Sequence, residues 1–156
     1  MRRFRPIHGL LLVLLLMAAT LAAERLLTAG RGDAIRVSPD AAGVVTVPVG
    51  DLAPSSVRFY RFLNRGNQEV RFFVGRDPAG AVVAAFDASE NDFKRHRGFR
   101  HEGEWLVNNK CDTATKLVEV NAGKSGCGPA PLRFRVEGAN VVLAENDILE
   151  GWRFFR

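Results

Sequence analysis

The chain has 156 residues, 47% of them apolar and 25% charged, with a net charge of +5. That length and apolar fraction exclude a disordered chain and suffice for one domain whose core needs no stapling metal. Met1 to Ala23 carries Arg2, Arg3 and Arg5 and no acid, so the remainder holds 19 basic against 17 acidic residues, a net of +2, and charge gives no reason to expect a nucleic-acid-binding surface.

In chain order, Met1-Arg2-Arg3-Phe4-Arg5 is a basic start, and Leu10 to Ala19 is an apolar run followed by small residues. This pattern predicts a signal segment over 1–23, cleaved after Ala22 or Ala23, that sends the protein to the periplasm or outside the cell. The alternative is an uncleaved anchor over residues 10–23, although that run is shorter than the roughly 20 residues of a spanning helix. Arg2-Arg3 is followed by Phe4-Arg5-Pro6 and fits the twin-arginine pattern poorly. Export through the general route, unfolded, leaves no place for a preassembled cluster. Residues 24–43 read as a linker or irregular lead-in, and Arg31-Gly32-Asp33 spells an adhesion tripeptide that no other feature supports.

A β-rich domain is expected over 44–156. Val45, Val47 and Val49 alternate along the first strand, and Pro48 marks an edge. The segment from Ser56 to Phe62 forms a second strand whose apolar parity shifts between Phe59 and Tyr60, the mark of a bulge. Asn64 to Asn67 then turns the chain into Glu69 to Val74. Asp77-Pro78-Ala79-Gly80 is a turn, and Ala81 to Phe86 is apolar throughout, as in a central strand. Short strands follow at Trp105 to Val107, Lys116 to Val120, Leu132 to Val136 and Asn140 to Leu143, with a turn over Glu137 to Asn140 and one or two helical turns over Ala144 to Gly151. No 3.6-residue period is sustained after the N-terminal segment, so the fold class is all-β or β-dominated, a single domain of short antiparallel strands.

The stretch from Ala85 to Leu132 carries the chemistry. It reads A-F-D-A-S-E-N-D, then G-F-R-H-E-G-E-W-L-V-N-N-K-C, then S-G-C-G-P-A-P-L. This layout resembles the FtrD-like iron–sulfur membrane proteins, associated with ferrous-iron uptake, whose segments read A-F-D-A-C-x-x-C, G-Y-R-x-E-G, V-C-x-x-C and G-G-C-x-P-x-P-L. The resemblance spans roughly Val44 to Phe155, including Val47-Pro48-Val49, Arg71 to Val74 and Phe154-Phe155. It implies that Ser89 and Asp92 stand at the first cysteine pair, Asn108 and Cys111 at the second, and Cys127 at the fifth position. The chain is therefore identified as a degenerate member that has lost most ligand cysteines. Two ligand loops followed by Gly128 to Leu132 and a hairpin over Val136 to Val142 also look like a Rieske-type layout, a fold-level analogy.

A cluster needs thiolates at fixed spacing, because the sulfur is both donor and charge neutraliser. Ser89 and Asp92 offer a weak hydroxyl and a hard carboxylate, and Asn108 offers neither, so an iron–sulfur cluster is not expected. Two sets of uses remain for the survivors. Cys111 and Cys127 form a disulfide, worth about 3 kcal/mol in the chain-entropy model. Alternatively Cys111, Cys127, His101, His96 and Asp92, with Asp87 beside them, hold a mononuclear zinc, copper or iron ion.

Lys94-Arg95-His96-Arg97 with Arg100 is a basic loop, read first as a solvated face and second as a contact surface. Gly98, Gly103, Gly126 and Pro129 read as shapers of loop geometry. No nucleophile elbow, zinc-protease helix motif or complete phosphate loop is present, so the chain is not read as an enzyme. The expectation is a secreted or periplasmic accessory or binding module, with a protein partner in a membrane metal-uptake or redox system. Membrane contact is expected only through a retained N-terminal segment. A metal-binding protein in iron or copper handling and a periplasmic electron carrier that pairs two chains are the alternatives.

Overall fold

The computed structural model describes residues 13, 15–18, 20, 34–90, 97–122 and 126–156. The chain divides into two compact units, Met1–Gly32 and Asp33–Arg156. In the first, the described residues are helical and exposed, and most of the expected signal segment lies outside the described residues. The reading of residues 10–23 as an anchor, with the membrane placement and keyword built on it, is corrected. Among the described residues no helix is long and apolar enough to cross a membrane.

The second unit is β-dominated, with ten strands in three sheets among the described residues. Strands β1 (Ile35–Val37), β3 (Ser56–Leu63), β4 (Glu69–Arg76) and β5 (Val82–Phe86) form one sheet in the order β1-β3-β4-β5. Strands β2 (Val44–Pro48), β10 (Asn140–Ala144) and β9 (Arg135–Glu137) form another, in that order, and β6 (Phe99–Glu102), β7 (Trp105–Asn108) and β8 (Ala114–Lys116) the third. Pairing is antiparallel except that β1 runs parallel to β3. A short helix, α1 (Glu145–Glu150), and a 3-10 turn (Gly151–Phe154) close the chain.

The four-stranded sheet is the middle layer, and both its faces are dry. Tyr60, Phe62, Val70, Phe72, Val74, Ala84 and Phe86 pack with Val45, Val47, Val141 and Leu143 of the β2-β10-β9 sheet. Phe73, Val83 and Ala85 face the other way and join Phe99, Leu106, Leu117 and Val120. Burial on two faces replaces alternation by continuous apolar runs.

This explains the parity shift in β3. Its register with β4 is unbroken from Ser56↔Arg76 to Leu63↔Glu69, so there is no bulge. Val57 and Phe59 pack on one face, Tyr60 and Phe62 on the other. The expected central strand Ala81 to Phe86 is instead last in its sheet, yet its outer edge is covered. The Phe86 N–H donates to the Ala130 carbonyl at 2.9 Å, and the Ala130 N–H to the Ala88 carbonyl at 2.8 Å.

Lys116 to Val120, expected as a strand, leaves β8 at Lys116 and becomes a 3-10 helix over Leu117–Ala122. Leu117 and Val120 are buried while Val118 is 53% exposed, and the three-residue repeat of a 3-10 helix is what puts the first two on one side. Pro48 does lie on an edge strand, β2, and the helical turns at 144–151 are present as α1.

Candidate functional site

Three loops converge beside β5. The first leaves β5 at Phe86 and carries Asp87, Ala88 and Ser89. The second follows β7, where the Asp112 N–H returns to the Asn108 carbonyl at 2.9 Å and the Asn108 N–H reaches the Thr113 carbonyl at 3.0 Å, closing a tight turn around Cys111. The third carries Cys127 to Leu132 and is held against the first by the hydrogen bonds of Phe86 and Ala130 and by the bridge between Ala85 and Pro131.

Asn108 joins all three. It is 1% exposed, as is Ser89. Its carboxamide nitrogen donates to the Cys127 carbonyl at 2.9 Å and approaches the Ser89 hydroxyl at 3.5 Å, the outer limit of a hydrogen bond. Its oxygen accepts from the Lys110 N–H at 2.9 Å and the Cys111 N–H at 3.4 Å. The residue that replaces a family ligand thus cross-links the ligand loops by hydrogen bonds, the task a shared metal performs by coordination.

Cys111 is exposed and Cys127 half-buried; both are free thiols, with sulfurs 2.7 Å apart. The expected disulfide is corrected, since a bridged pair would hold its sulfurs at about 2.05 Å. The neighbouring Cys127 sulfur, by hydrogen bonding, is the chief cause holding the Cys111 thiol above its ordinary pKa, with partial burial assisting.

Asp87 is 6% exposed. One carboxylate oxygen accepts the Phe99 N–H at 2.6 Å, and the other lies 3.4 Å from Arg71 Nε. This pairing fixes the neighbouring glycine: Gly98 has φ +59°, and a Cβ there would stand 2.5 and 2.6 Å from the two Asp87 oxygens. A cavity of about 10 Å³ remains among Asp87, Ser89, Gly98, Asn108, Phe154 and Phe155, room for one water. Sequence reasoning missed Arg71 as the partner of Asp87. Its signal was a charged residue inside the otherwise apolar Arg71 to Val74 run.

His101 belongs to β6, and its Nε2 lies 2.7 Å from the Gly103 carbonyl in the β6–β7 hairpin. Arg100, of the expected basic loop, bonds to Glu102 at 2.6 Å, Asn109 at 3.2 Å and Asp112 at 3.3 Å. It is therefore engaged with Glu102 of its own strand and with the turn after β7. Asp92 and His96, with Lys94 and Arg95, lie outside the described residues. The structure brings Ser89, Asn108, Cys111 and Cys127 together and does not group His101 with them. Among the described residues no group of three or more His, Cys, Asp or Glu side chains could hold a metal ion.

Fold and site together define a layered β domain in which ligand loops are tied by an amide. The chain belongs to the FtrD-like family: the family described as "Membrane iron-sulfur containing protein FtrD-like" matches residues 52–155. No curated protein matches the chain. The iron–sulfur group in that description does not fit the described residues. Two sulfurs cannot supply the four thiolates such clusters use, and the buried Asn108 and Ser89 leave room for a water, not a cluster. It is a degenerate member of its family.

Proposed function

We propose that this protein is an accessory binding module of the FtrD-like family that works without an iron–sulfur cluster and is not an enzyme. Its partner is a protein component of a membrane metal-uptake or redox system. One observation carries the cluster-free reading: Asn108, at a family ligand position, is buried and spends its carboxamide on the Cys127 carbonyl of an adjoining loop and the Lys110 N–H of its own turn. A loop set closed by hydrogen bonds keeps its shape without an ion, which suits a docking scaffold. Cofactor content tests the reading. Protein purified from its own cells is expected to be colourless and free of stoichiometric iron and acid-labile sulfide. Brown protein containing both overturns the proposal.

A second reading, metal handling through Cys111 and Cys127, is favoured by the proximity of the two thiols, 2.7 Å apart. A zinc or histidine-assisted version draws no support from the position of His101, whose ring is engaged at the Gly103 carbonyl.

A further inference from the structure

We propose that the outer edge of β9 pairs with the same edge of a second copy of this chain, antiparallel about Val136, to make a two-fold dimer. β9 is the last strand of its sheet, after β2 and β10, and Arg135, Val136 and Glu137 are all exposed. Val136 stands opposite Val141, and opposed residues of an antiparallel pair point to the same face. Val141 is buried in the first core, so Val136 lies on the core-facing side of the sheet, yet it is 51% exposed.

The register shows which backbone groups that edge offers. The Val49 N–H donates to the Ala139 carbonyl at 2.8 Å, and along an antiparallel strand the residues bonded to one neighbour alternate with those bonded to the other. Ala139 and Val141 thus turn their backbone groups toward β2, where Val141 meets Val47. Asn140 and Val142 turn theirs toward β9, where they meet Glu137 and Arg135. Pro48, which has no N–H, stands opposite Asn140, where none is asked for. Val136 lies between the two bonded residues of β9, so its own N–H and C=O point outward.

Charge chooses the occupant. Arg135 and Glu137 share the other face of β9, with Arg135 Nε 3.8 Å from Glu137 Oε1, and both side chains are well exposed. A second β9 laid antiparallel, Val136 against Val136, exchanges backbone hydrogen bonds between those two residues and sets each Arg135 opposite Glu137 of the other copy. These opposed pairs fall at the unbonded positions, where side chains stand closest, and there opposite charges attract while like charges destabilise. A parallel copy in the same register would set arginine against arginine. Charges on a short edge strand ordinarily resist pairing; the order Arg-Val-Glu reverses this for one partner, a copy of itself. The two valines meet on the core-facing side, and the seam is isologous, so it closes at the dimer.

A seam of three residues a side makes a weak, reversible dimer. Sedimentation of the full chain over a concentration series is expected to show a monomer–dimer equilibrium with a Kd between about 10 μM and about 1 mM. Arg135→Glu and Glu137→Arg should each weaken association at least about 10-fold. The double variant Arg135→Glu/Glu137→Arg exchanges the signs and should recover wild-type affinity, and an equimolar mixture of the two single variants should form a heterodimer. Amide exchange locates the contact: the Val136 N–H should gain protection as concentration rises. A chain that stays monomeric to about 1 mM overturns the proposal. So does association that the single variants leave unchanged, which would place the contact elsewhere, the N-terminal segment included. Failure of the double variant to recover, or a Val136 N–H that exchanges equally fast at every concentration, overturns pairing about Val136. None of these outcomes bears on the cluster-free reading, which iron and sulfide content decides.

Discussion

Asn108 replaces coordination by hydrogen bonding, and the substitution Asn108→Ala separates the two. It leaves the Cys127 carbonyl and the Lys110 N–H without their partner, at a cost of about 2–4 kcal/mol for two part-buried groups. The expected outcome is a lower urea midpoint that added iron does not restore. At Gly98, alanine meets two penalties at once, a backbone held at φ +59° and a Cβ pressed on the Asp87 carboxylate. Gly98→Ala should cost about 1–3 kcal/mol, measured by the same denaturation. Cys111 gives a pH-dependent readout. Its folded pKa is raised, so the thiolate is scarcer than in an ordinary cysteine, and alkylation at neutral pH should be slower in the native protein than after unfolding. The sign for stability follows: its contribution is present below the unfolded pKa of about 8.5 and is lost as pH rises through the folded value.

At the scale of elements, the joint between α1 and the closing 3-10 turn is set by Gly151. It is buried, and a Cβ built there would drive into the Phe86 ring at the end of β5. Phe86 also packs on Phe154, with ring centroids 5.6 Å apart. Gly151→Ala should therefore destabilise by about 1–3 kcal/mol through overpacking. Because Phe86 immediately precedes Asp87, it should also perturb the adjoining ligand loop. Proton–nitrogen spectra of the variant should show shifts at Ser89 and Asn108; shifts confined to residues 145–156 would contradict the coupling. The 3-10 helix at Leu117–Ala122 shows how little short segments reveal in sequence. Leu117-Val118-Glu119-Val120 reads as alternation, and only the core beneath it, which takes Leu117 and Val120 and not Val118, selects the tighter period.

At the scale of the molecule, the middle sheet contributes side chains to both cores, which ties their unfolding together. Trp152 packs against the first core, while Trp105 lies in the third sheet under Lys116, whose ammonium is 5.2 Å from the ring centroid. The two tryptophans thus report on opposite outer layers. Single-tryptophan variants should give coincident thermal transitions, as for one cooperative unit; separated midpoints would show that the layers unfold independently. A strong chelator should leave both transitions unmoved, because the fold is closed by burial and by Asn108.

The sequence alone determined the β-dominated class, the edge position of Val44–Pro48, the helical turns after Leu143 and the family, because strand alternation, proline chemistry and loop motifs are local. It also determined that four ligand positions keep their spacing while three lack cysteine. Tertiary structure decided the rest. Phe59 and Tyr60 look like a shifted parity until two packed faces explain them, and Ala81 to Phe86 looks central until Ala130 is seen covering its edge. Cys111 and Cys127 look like a bridge until their sulfurs are placed, near each other and unbonded. Such features depend on which distant segment lies opposite, and a one-dimensional pattern records a residue's polarity without recording what packs against it.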